Sequence, residues 1–306
     1  MDMVIWLRAF RWKNLLITVF LLLALRLGIN EAFGFPSVLP DWAFALAVLS
    51  TLMIMAAGYL MNDIFDRHAD AVNRPERARL FKKYTEEQLY NVAIYLAAAG
   101  ILIGGVLAWY IDRWLYTALP VITVLLLYQY AQRWKGQPLI GNLVIAFLAG
   151  LVVITLLAFD VLPILTEDAE VMEKFGGIIY VYLIFAAFAF YVTLIREIVK
   201  DLEDIKGDLR AGYRTLPIYW NERGARFIAF ILIFIFTIFF GRFTQMMYGE
   251  QNSAWVFVMG IFLFGLAGVW LLRPGERVVN YRLAQNVMKA LMAYGILLLP
   301  AFSLLT

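Results

Sequence analysis

Long apolar runs alternate with short polar intervals along the whole chain. Nine runs, near 14–33, 41–61, 91–111, 114–130, 140–162, 177–196, 226–247, 254–272 and 284–304, lie close to the length a helix needs to cross a bilayer, roughly 20 apolar residues. They predict nine transmembrane helices. The interval around Asp112 and Arg113 is so short that it predicts a tight hairpin between the third and fourth spans. No Ser/Gly-rich linker or low-complexity tract interrupts the pattern, so residues 1–306 read as a single membrane domain.

Composition agrees with that pattern. Hydrophobic residues make up 63% of the chain, charged residues 16%, and the mean hydropathy is +0.77; a soluble domain carries about 25% charged residues. The nine Trp, 16 Tyr and 24 Phe suit a protein whose rings gather at membrane interfaces. The absence of cysteine excludes disulfides, thiolate metal sites and cysteine nucleophiles. A net charge of only +3 gives no reason to expect a nucleic-acid partner. The opening MDMVIWLRAFRWKN has no small-residue cleavage site, so the first apolar run is expected to be a retained span rather than a signal peptide.

Charge also sets an orientation. Twenty-one of the 26 lysines and arginines fall in the N-terminal segment and in the second, fourth, sixth and eighth loops. Basic residues favour the cytoplasmic side, so the N-terminus is expected inside and, after nine spans, the C-terminus outside. The acidic loop TEDAEVMEK at 166–174 fits the outer side.

Two polar clusters stand out on the predicted cytoplasmic side. The first is GYLMNDIFDRHADAVNRP at 58–75, and the second is REIVKDLEDIKGDLRAGYRTLP at 196–217. Asp63, Asp66 and Asp70 have the spacing D-x-x-D-x-x-x-D, and Asp201, Asp204 and Asp208 repeat it far along the chain. Each cluster follows an apolar span and is followed by Arg and Pro. Residues at i, i+3 and i+7 share one helical face, so each cluster predicts a stripe of carboxylates, with Asn62 one turn before Asp66. A lone acidic cluster at a helix end is ordinarily a solvated face. Two with one spacing on one side read as a half-site used twice. Crowded carboxylates repel, and a divalent cation removes that repulsion. Oxygen ligands without His or Cys suit Mg²⁺ or Mn²⁺. Mg²⁺ uses one or two carboxylates and takes further ligands from water and substrate phosphates. Two stripes facing across a cavity could therefore clamp a diphosphate, with nearby Arg and Lys taking the remaining phosphate charge. His68, the sole histidine, reads as a proton carrier or as a solvent-facing spacer.

At these residues the chain resembles the UbiA-type intramembrane prenyltransferases. The family's N-D-x-x-D-x-x-x-D is matched by Asn62, Asp63, Asp66 and Asp70, and its second D-x-x-x-D by Asp204 and Asp208. Finer features are similar to the digeranylgeranylglyceryl phosphate synthase branch and its bacterial relatives. These are Arg11 and Asn14 in RWKNLLI, Lys135, Pro138, Gly141 and Asn142 in YAQRWKGQPLIGN, and REIVKDLEDIKGD followed by G-x-R-T-L-P. The chain departs from many members at NRPERARLFKK, where they carry N-x-P-x-R-P-[IL], and this leaves open whether Arg77 and Arg79 fill the same role.

The resemblance implies an all-α membrane fold of nine helices in one bundle around a central cavity, with both Asp motifs at its cytoplasmic end. It implies two Mg²⁺ ions, a polyprenyl diphosphate donor, a lipophilic or amphipathic acceptor, and contact with membrane lipid. Asn62, Asp66 and Asp70 would hold one ion and Asp204 and Asp208 the other, with Asp63 and Asp201 as ligands or as supports for the ligands. Asp66, Asp70, Asp204 and Asp208 would carry catalysis. Arg74, Lys135 and Lys200 would hold phosphate oxygens, Arg11 and Asn14 would touch the donor or acceptor head, and Asn142 would complete the substrate-binding set. The implied reaction is transfer of a prenyl group to a prenylglyceryl phosphate hydroxyl in ether-lipid synthesis; in archaeal members a geranylgeranyl group goes to the sn-2 hydroxyl of geranylgeranylglyceryl phosphate. The alternative is an aromatic prenyltransferase of quinone biosynthesis, acting on 4-hydroxybenzoate or dihydroxynaphthoate. Two other classes fit less well. CDP-alcohol phosphotransferases carry D-G-x-x-A-R on one continuous segment, which this chain lacks. A transporter would place its acids on broken helices near the midplane, whereas these follow the spans into loops.

Overall fold

The computed structural model describes residues 2–30, 33–73, 78–165, 167–248 and 280–305, together with residues 260 and 263. Among them there is no β-strand. Six helices are long and apolar enough to cross a membrane: α2 (Trp12–Asn30), α3 (Asp41–Phe65), α6 (Glu86–Tyr110), α7 (Trp114–Trp134), α8 (Ile140–Asp160) and α11 (Gly177–Arg210). Shorter helices are α1 (Asp2–Ala9), α4 (Arg67–Asn73), α5 (Ala78–Phe81), α9 (Leu162–Leu165), α10 (Ala169–Phe175) and α12 (Leu216–Tyr219). Two further long helices, α13 (Glu222–Tyr248) and α14 (Tyr281–Leu305), pack against α11. They correspond to the seventh and ninth expected spans. The eighth, 254–272, lies outside the described residues apart from residues 260 and 263.

The local signals explain the helix ends. A capping box starts α6: Thr85 Oγ1 accepts the Gln88 N–H at 3.2 Å, and Gln88 Oε1 accepts the Thr85 N–H at 3.0 Å. The helix therefore begins more than a turn before the apolar run at 91–111. The α6–α7 connection is the expected hairpin. Asp112 takes φ +55°, and the Arg113 N–H closes it on Ala108 O at 2.8 Å.

Two helix pairs form the frame, α3 with α6 and α8 with α11. Water does not drive helices together in lipid, so small residues that let backbones approach are decisive. A Cβ on Gly100 would lie 2.6 Å from Ile54 Cγ1 and 3.1 Å from Ser50 O. Ser50 Oγ donates across this contact to Gly100 O at 2.7 Å. A Cβ on Gly150 would lie 3.0 Å from Ala186 O, so α8 and α11 meet in the same way.

One end of the bundle holds a buried polar network without a sequence motif to announce it. The last turn of α2, Leu25–Asn30, is π-helical. Arg26 on that turn donates to Leu39 O at 2.7 Å and Asp41 Oδ1 at 3.0 Å, with its guanidinium 4.5 Å from the Phe44 ring centroid. Asp160 Oδ1 accepts the Leu39 N–H at 2.9 Å. Tyr182 Oη donates to Asn30 Oδ1 at 3.1 Å, and Asn30 Nδ2 donates to Ser37 Oγ at 2.9 Å. These bonds fasten the α2–α3 connection to α8 and α11. The acidic clusters lie at the opposite end of α3.

Candidate active site

The first cluster sits on a broken helix, not on the continuous one its spacing predicts. Helix α3 ends at Phe65, Asp66 caps it with φ −84° and ψ 1°, and the chain resumes as α4. Short polar side chains compete with helix backbone for hydrogen bonds, and Asn62 Nδ2 donates to Asp66 Oδ2 at 2.7 Å beside the break. The turn lays α4, with Asp70, against α11. The second cluster meets expectation. Helix α11 runs unbroken through Asp201, Asp204 and Asp208. It stops in a Schellman turn at Gly212, φ +74°: the Tyr213 N–H reaches Asp208 O at 2.9 Å and the Gly212 N–H reaches Leu209 O at 3.2 Å. That turn sends Tyr213 back toward α3.

The two clusters converge. Asn62, Asp63, Asp66, Asp70 and Asp208 are buried, and Asp201 and Asp204 are half-buried. Tyr213 Oη donates to Asp66 Oδ1 at 3.3 Å, joining the end of α11 to the end of α3. Lys135 comes from the α7–α8 loop and places its ammonium on Asp66 Oδ2 and 3.3 Å from Asn62 Oδ1. Asp208 lies within electrostatic reach of Asp66, Asp204, Lys135 and Lys200. Thr215 Oγ1 donates to Asp208 Oδ2 at 3.4 Å, and Asn142 Nδ2 donates to Asp201 Oδ2 at 2.8 Å. The loop is held in place at both ends. Arg214 N–H donates to Gly136 O at 2.8 Å. Gly141 approaches so closely that a Cβ there would lie 2.9 Å from Lys135 Cα and from Trp134 O.

The N-terminal residues support the first cluster. Arg11, at φ +51° between α1 and α2, forms an ion pair with Asp63 Oδ1 at 2.9 Å and lies 4.5 Å from the Tyr59 ring centroid. Asn14 Nδ2 donates to the Tyr59 hydroxyl at 3.3 Å. Lys200 Nζ is 3.2 Å from Glu197 Oε2, and Arg196 pairs with the same carboxylate. Glu197 is a buried member of this end that the D-x-x-D spacing passes over. Its signal is the i, i+4 relation to Asp201 on the same face of α11. Tyr213 was also missed, because only the Gly212 turn reveals that it folds back. His68 is exposed, in keeping with the spacer reading. Arg74 lies outside the described residues.

The charges balance through specific partners. Burial opposes ionisation of Asp66, but Lys135, with Lys200 and Arg11 behind it, outweighs burial and holds the carboxyl below its ordinary range. Burial also opposes the charge on Arg11, and Asp63 more than compensates. Burial and the nearby Asp66 push the Tyr213 hydroxyl up, so it is a neutral donor at physiological pH.

Among the described residues no three carboxylates are gathered closely enough to hold an ion by themselves. Asp63, Asp66, Asp201 and Asp208 are instead each matched by a cation or a neutral donor, the arrangement electrostatics demands of buried carboxylates. The donors nevertheless fit a hard divalent cation. All are oxygens, and the Lys135 ammonium already stands as a cation between Asn62 Oδ1 and Asp66 Oδ2.

Known proteins resemble this chain in sequence and in fold. The sequence model of the UbiA prenyltransferase family matches residues 15–293. A digeranylgeranylglyceryl phosphate synthase from Methanobrevibacter smithii is 32% identical over 195 residues, which is 64% of this chain and 64% of that relative's own length. One from Methanopyrus kandleri is 30% identical over 250 residues, covering 78% of this chain and 83% of the relative. Among solved structures, one from a study of digeranylgeranylglyceryl phosphate synthase in membranes superposes with a TM-score of 0.62 at 24% identity, covering 100% of this chain and 99% of the other. A UbiA homologue from Archaeoglobus fulgidus bound to GPP and Mg²⁺ gives 0.62 at 16% identity, covering 97% and 99%. These likenesses establish the fold.

Proposed function

Because this chain belongs to the UbiA prenyltransferase family, we propose that it transfers a polyprenyl group from a prenyl diphosphate to the hydroxyl of a prenylglyceryl phosphate, a step of ether-lipid synthesis. The reading rests on one observation above all: Asp66 and Asp208, from two separate acidic clusters, are drawn to one buried place around Lys135 and Tyr213. The curated relatives bearing the synthase name favour the glycerol-phosphate acceptor over an aromatic one.

In this reading the whole chain is one domain of nine spans, with the acidic end at the cytoplasmic face, the N-terminus inside and the C-terminus outside. Asn62, Asp66 and Asp70 would hold one Mg²⁺, and Asp204 and Asp208 a second. Bound there, the ions would neutralise the diphosphate and favour its departure. The chain's own residues do the rest. Lys135 leaves Asp66 for a phosphate oxygen, and Lys200 and Arg74 bind further phosphate charge. Arg11 fixes Asp63, and Asn142 fixes Asp201, so both stripes keep their orientation. Tyr213 donates to the Asp66 carboxylate and holds it in place. The surrounding spans exclude water from the allylic C1 as the C1–O bond breaks with its electron pair on the diphosphate. The acceptor oxygen then bonds to C1, and its proton goes to an aspartate of the clusters or to the departing diphosphate.

The test is a donor–acceptor cross in detergent with Mg²⁺. Radiolabelled geranylgeranyl diphosphate is supplied with a prenylglyceryl phosphate, 4-hydroxybenzoate or 1,4-dihydroxy-2-naphthoate. Label in a diether lipid is the expected result. Label on an aromatic acceptor would overturn the acceptor, and label on none would overturn prenyl transfer.

A further inference from the structure

Glu197 is a buried carboxylate to which the mechanism above gives no task. It is 4% exposed and lies on α11 one turn before Asp201. Each of its oxygens carries a cation: Oε1 pairs with Arg196, and Oε2 accepts from Lys200 Nζ at 3.2 Å. It faces the space where the two clusters converge. Arg11 lies within electrostatic reach of it, and Tyr130 lies within reach of Glu197, Asp66 and Asp201 together. Two cations on one carboxylate leave a net positive charge beside the acidic stripes.

The place of Lys200 on α11 gives this pairing a consequence. Its ammonium can turn back to Glu197, three residues earlier, or forward to Asp204, four residues later. Helical side chains lean toward the N-terminus, and an acid preceding a Lys is the favoured order for such a pair. The structure shows the backward choice. At about 1.5 Å of rise per residue, Glu197 stands about 6 Å before Asp201 and about 10 Å before Asp204 along the helix axis. From there Lys200 still acts on Asp66, Asp201 and Asp208 through its field. Lys135 shows what an ammonium does when it reaches a stripe: it sits on Asp66 and near Asn62, where a divalent cation would stand. Released from Glu197, Lys200 would settle on the second stripe in the same way.

We propose that Glu197 is a positioning residue: it parks the Lys200 ammonium one turn short of the acidic stripes, so that the second cluster stays open to a divalent cation and Lys200 meets the diphosphate rather than an aspartate. The inference rests on the reading of the clusters as a cation and diphosphate site, and its test separates the two. Mg²⁺ alone is titrated into the purified protein in detergent, and the midpoint is read by calorimetry. A midpoint does not depend on how much of a variant is folded. Glu197→Gln should raise it about tenfold, and Glu197→Asp, which keeps the charge, should stay within about threefold of wild type. Removing Lys200 should cancel the defect: Glu197→Gln/Lys200→Met should return to within about threefold of Lys200→Met alone. Lys200→Met by itself should move the midpoint by less than about threefold, because the ammonium is already off the stripe. A Glu197→Gln midpoint equal to that of wild type would overturn the role of Glu197. So would a defect that persists undiminished without Lys200, which is what a purely structural carboxylate would give. A Lys200→Met protein that binds Mg²⁺ more than about tenfold tighter would overturn it as well, since Lys200 would then already compete for the site. A wild type that takes up no Mg²⁺ would instead overturn the cation site itself.

Discussion

Replacing Lys135 with Met removes the ammonium that stands between Asn62 and Asp66 while keeping most of the aliphatic stem. Asp66 is 1% exposed, so the variant leaves a buried carboxylate without its nearest cation. Breaking a buried ion pair in this way costs about 3–5 kcal/mol. Asn62 and Tyr213 still donate to Asp66, and Lys200 and Arg11 still act on it from further away. The loss in metal-free protein should therefore fall at the low end, about 3 kcal/mol. For a chain of 306 residues, that corresponds to a fall in Tm of about 6 °C, at about 2 °C per kcal/mol. Mg²⁺ should reverse most of it. In wild type an ion has to displace the ammonium, whereas in Lys135→Met the place is vacant and the carboxylate uncompensated. The assay is thermal unfolding in detergent, with EDTA and with Mg²⁺. The Mg²⁺-induced rise in Tm should be larger for the variant than for wild type. An equal fall in Tm with and without Mg²⁺ would refute the idea that Lys135 stands where a cation binds.

Three further outcomes follow from the geometry. Asp66→Ala or Asp204→Ala should lower prenyl transfer by more than about 10³-fold while circular dichroism shows a folded helical protein, because each removes charge from the diphosphate clamp. In EDTA, the depressed carboxyl of Asp66 stabilises the fold above the ordinary carboxylate pKa, and that contribution disappears as pH falls toward and through its lower folded value. Wild type should therefore lose more Tm between pH 6 and pH 3, about the range concerned, than Lys135→Met does. At the other end of the bundle, Asp160→Ala should cost about 1–3 kcal/mol, since the buried Leu39 N–H loses its acceptor, and Asp160→Asn should cost less because it keeps an acceptor oxygen; unfolding by denaturant measures both.

The membrane fold was legible because hydropathy acts on whole segments. Apart from the far end of α11, the six apolar helices fall within a few residues of the predicted runs, and the Asp112 hairpin follows from the shortness of its interval. The larger extensions, as in α11 running on to Arg210, occur where polar residues continue a helix that hydropathy alone ends at the bilayer surface. Spacing identified the acidic residues but not their pairing. Nothing in N-D-I-F-D-R marks a stop, and the break at Asp66 goes with the docking of α4 on α11. Lys135 was legible as a cation near the site, and its seat on Asp66 depends on a loop whose fit requires Gly141. Arg26 and Asp160 stand in different halves of the sequence and carry no motif, so only the folded chain reveals them as partners.

The central claim is that the two acidic clusters form one divalent-cation and diphosphate site. Calorimetric titration of the purified protein with geranylgeranyl diphosphate, in Mg²⁺ and in EDTA, tests it most directly. Binding should require Mg²⁺ and should be lost alike in Asp66→Asn and Asp208→Asn, one variant from each cluster. Binding of equal strength in EDTA, or a variant of either cluster that binds as wild type does, would contradict it.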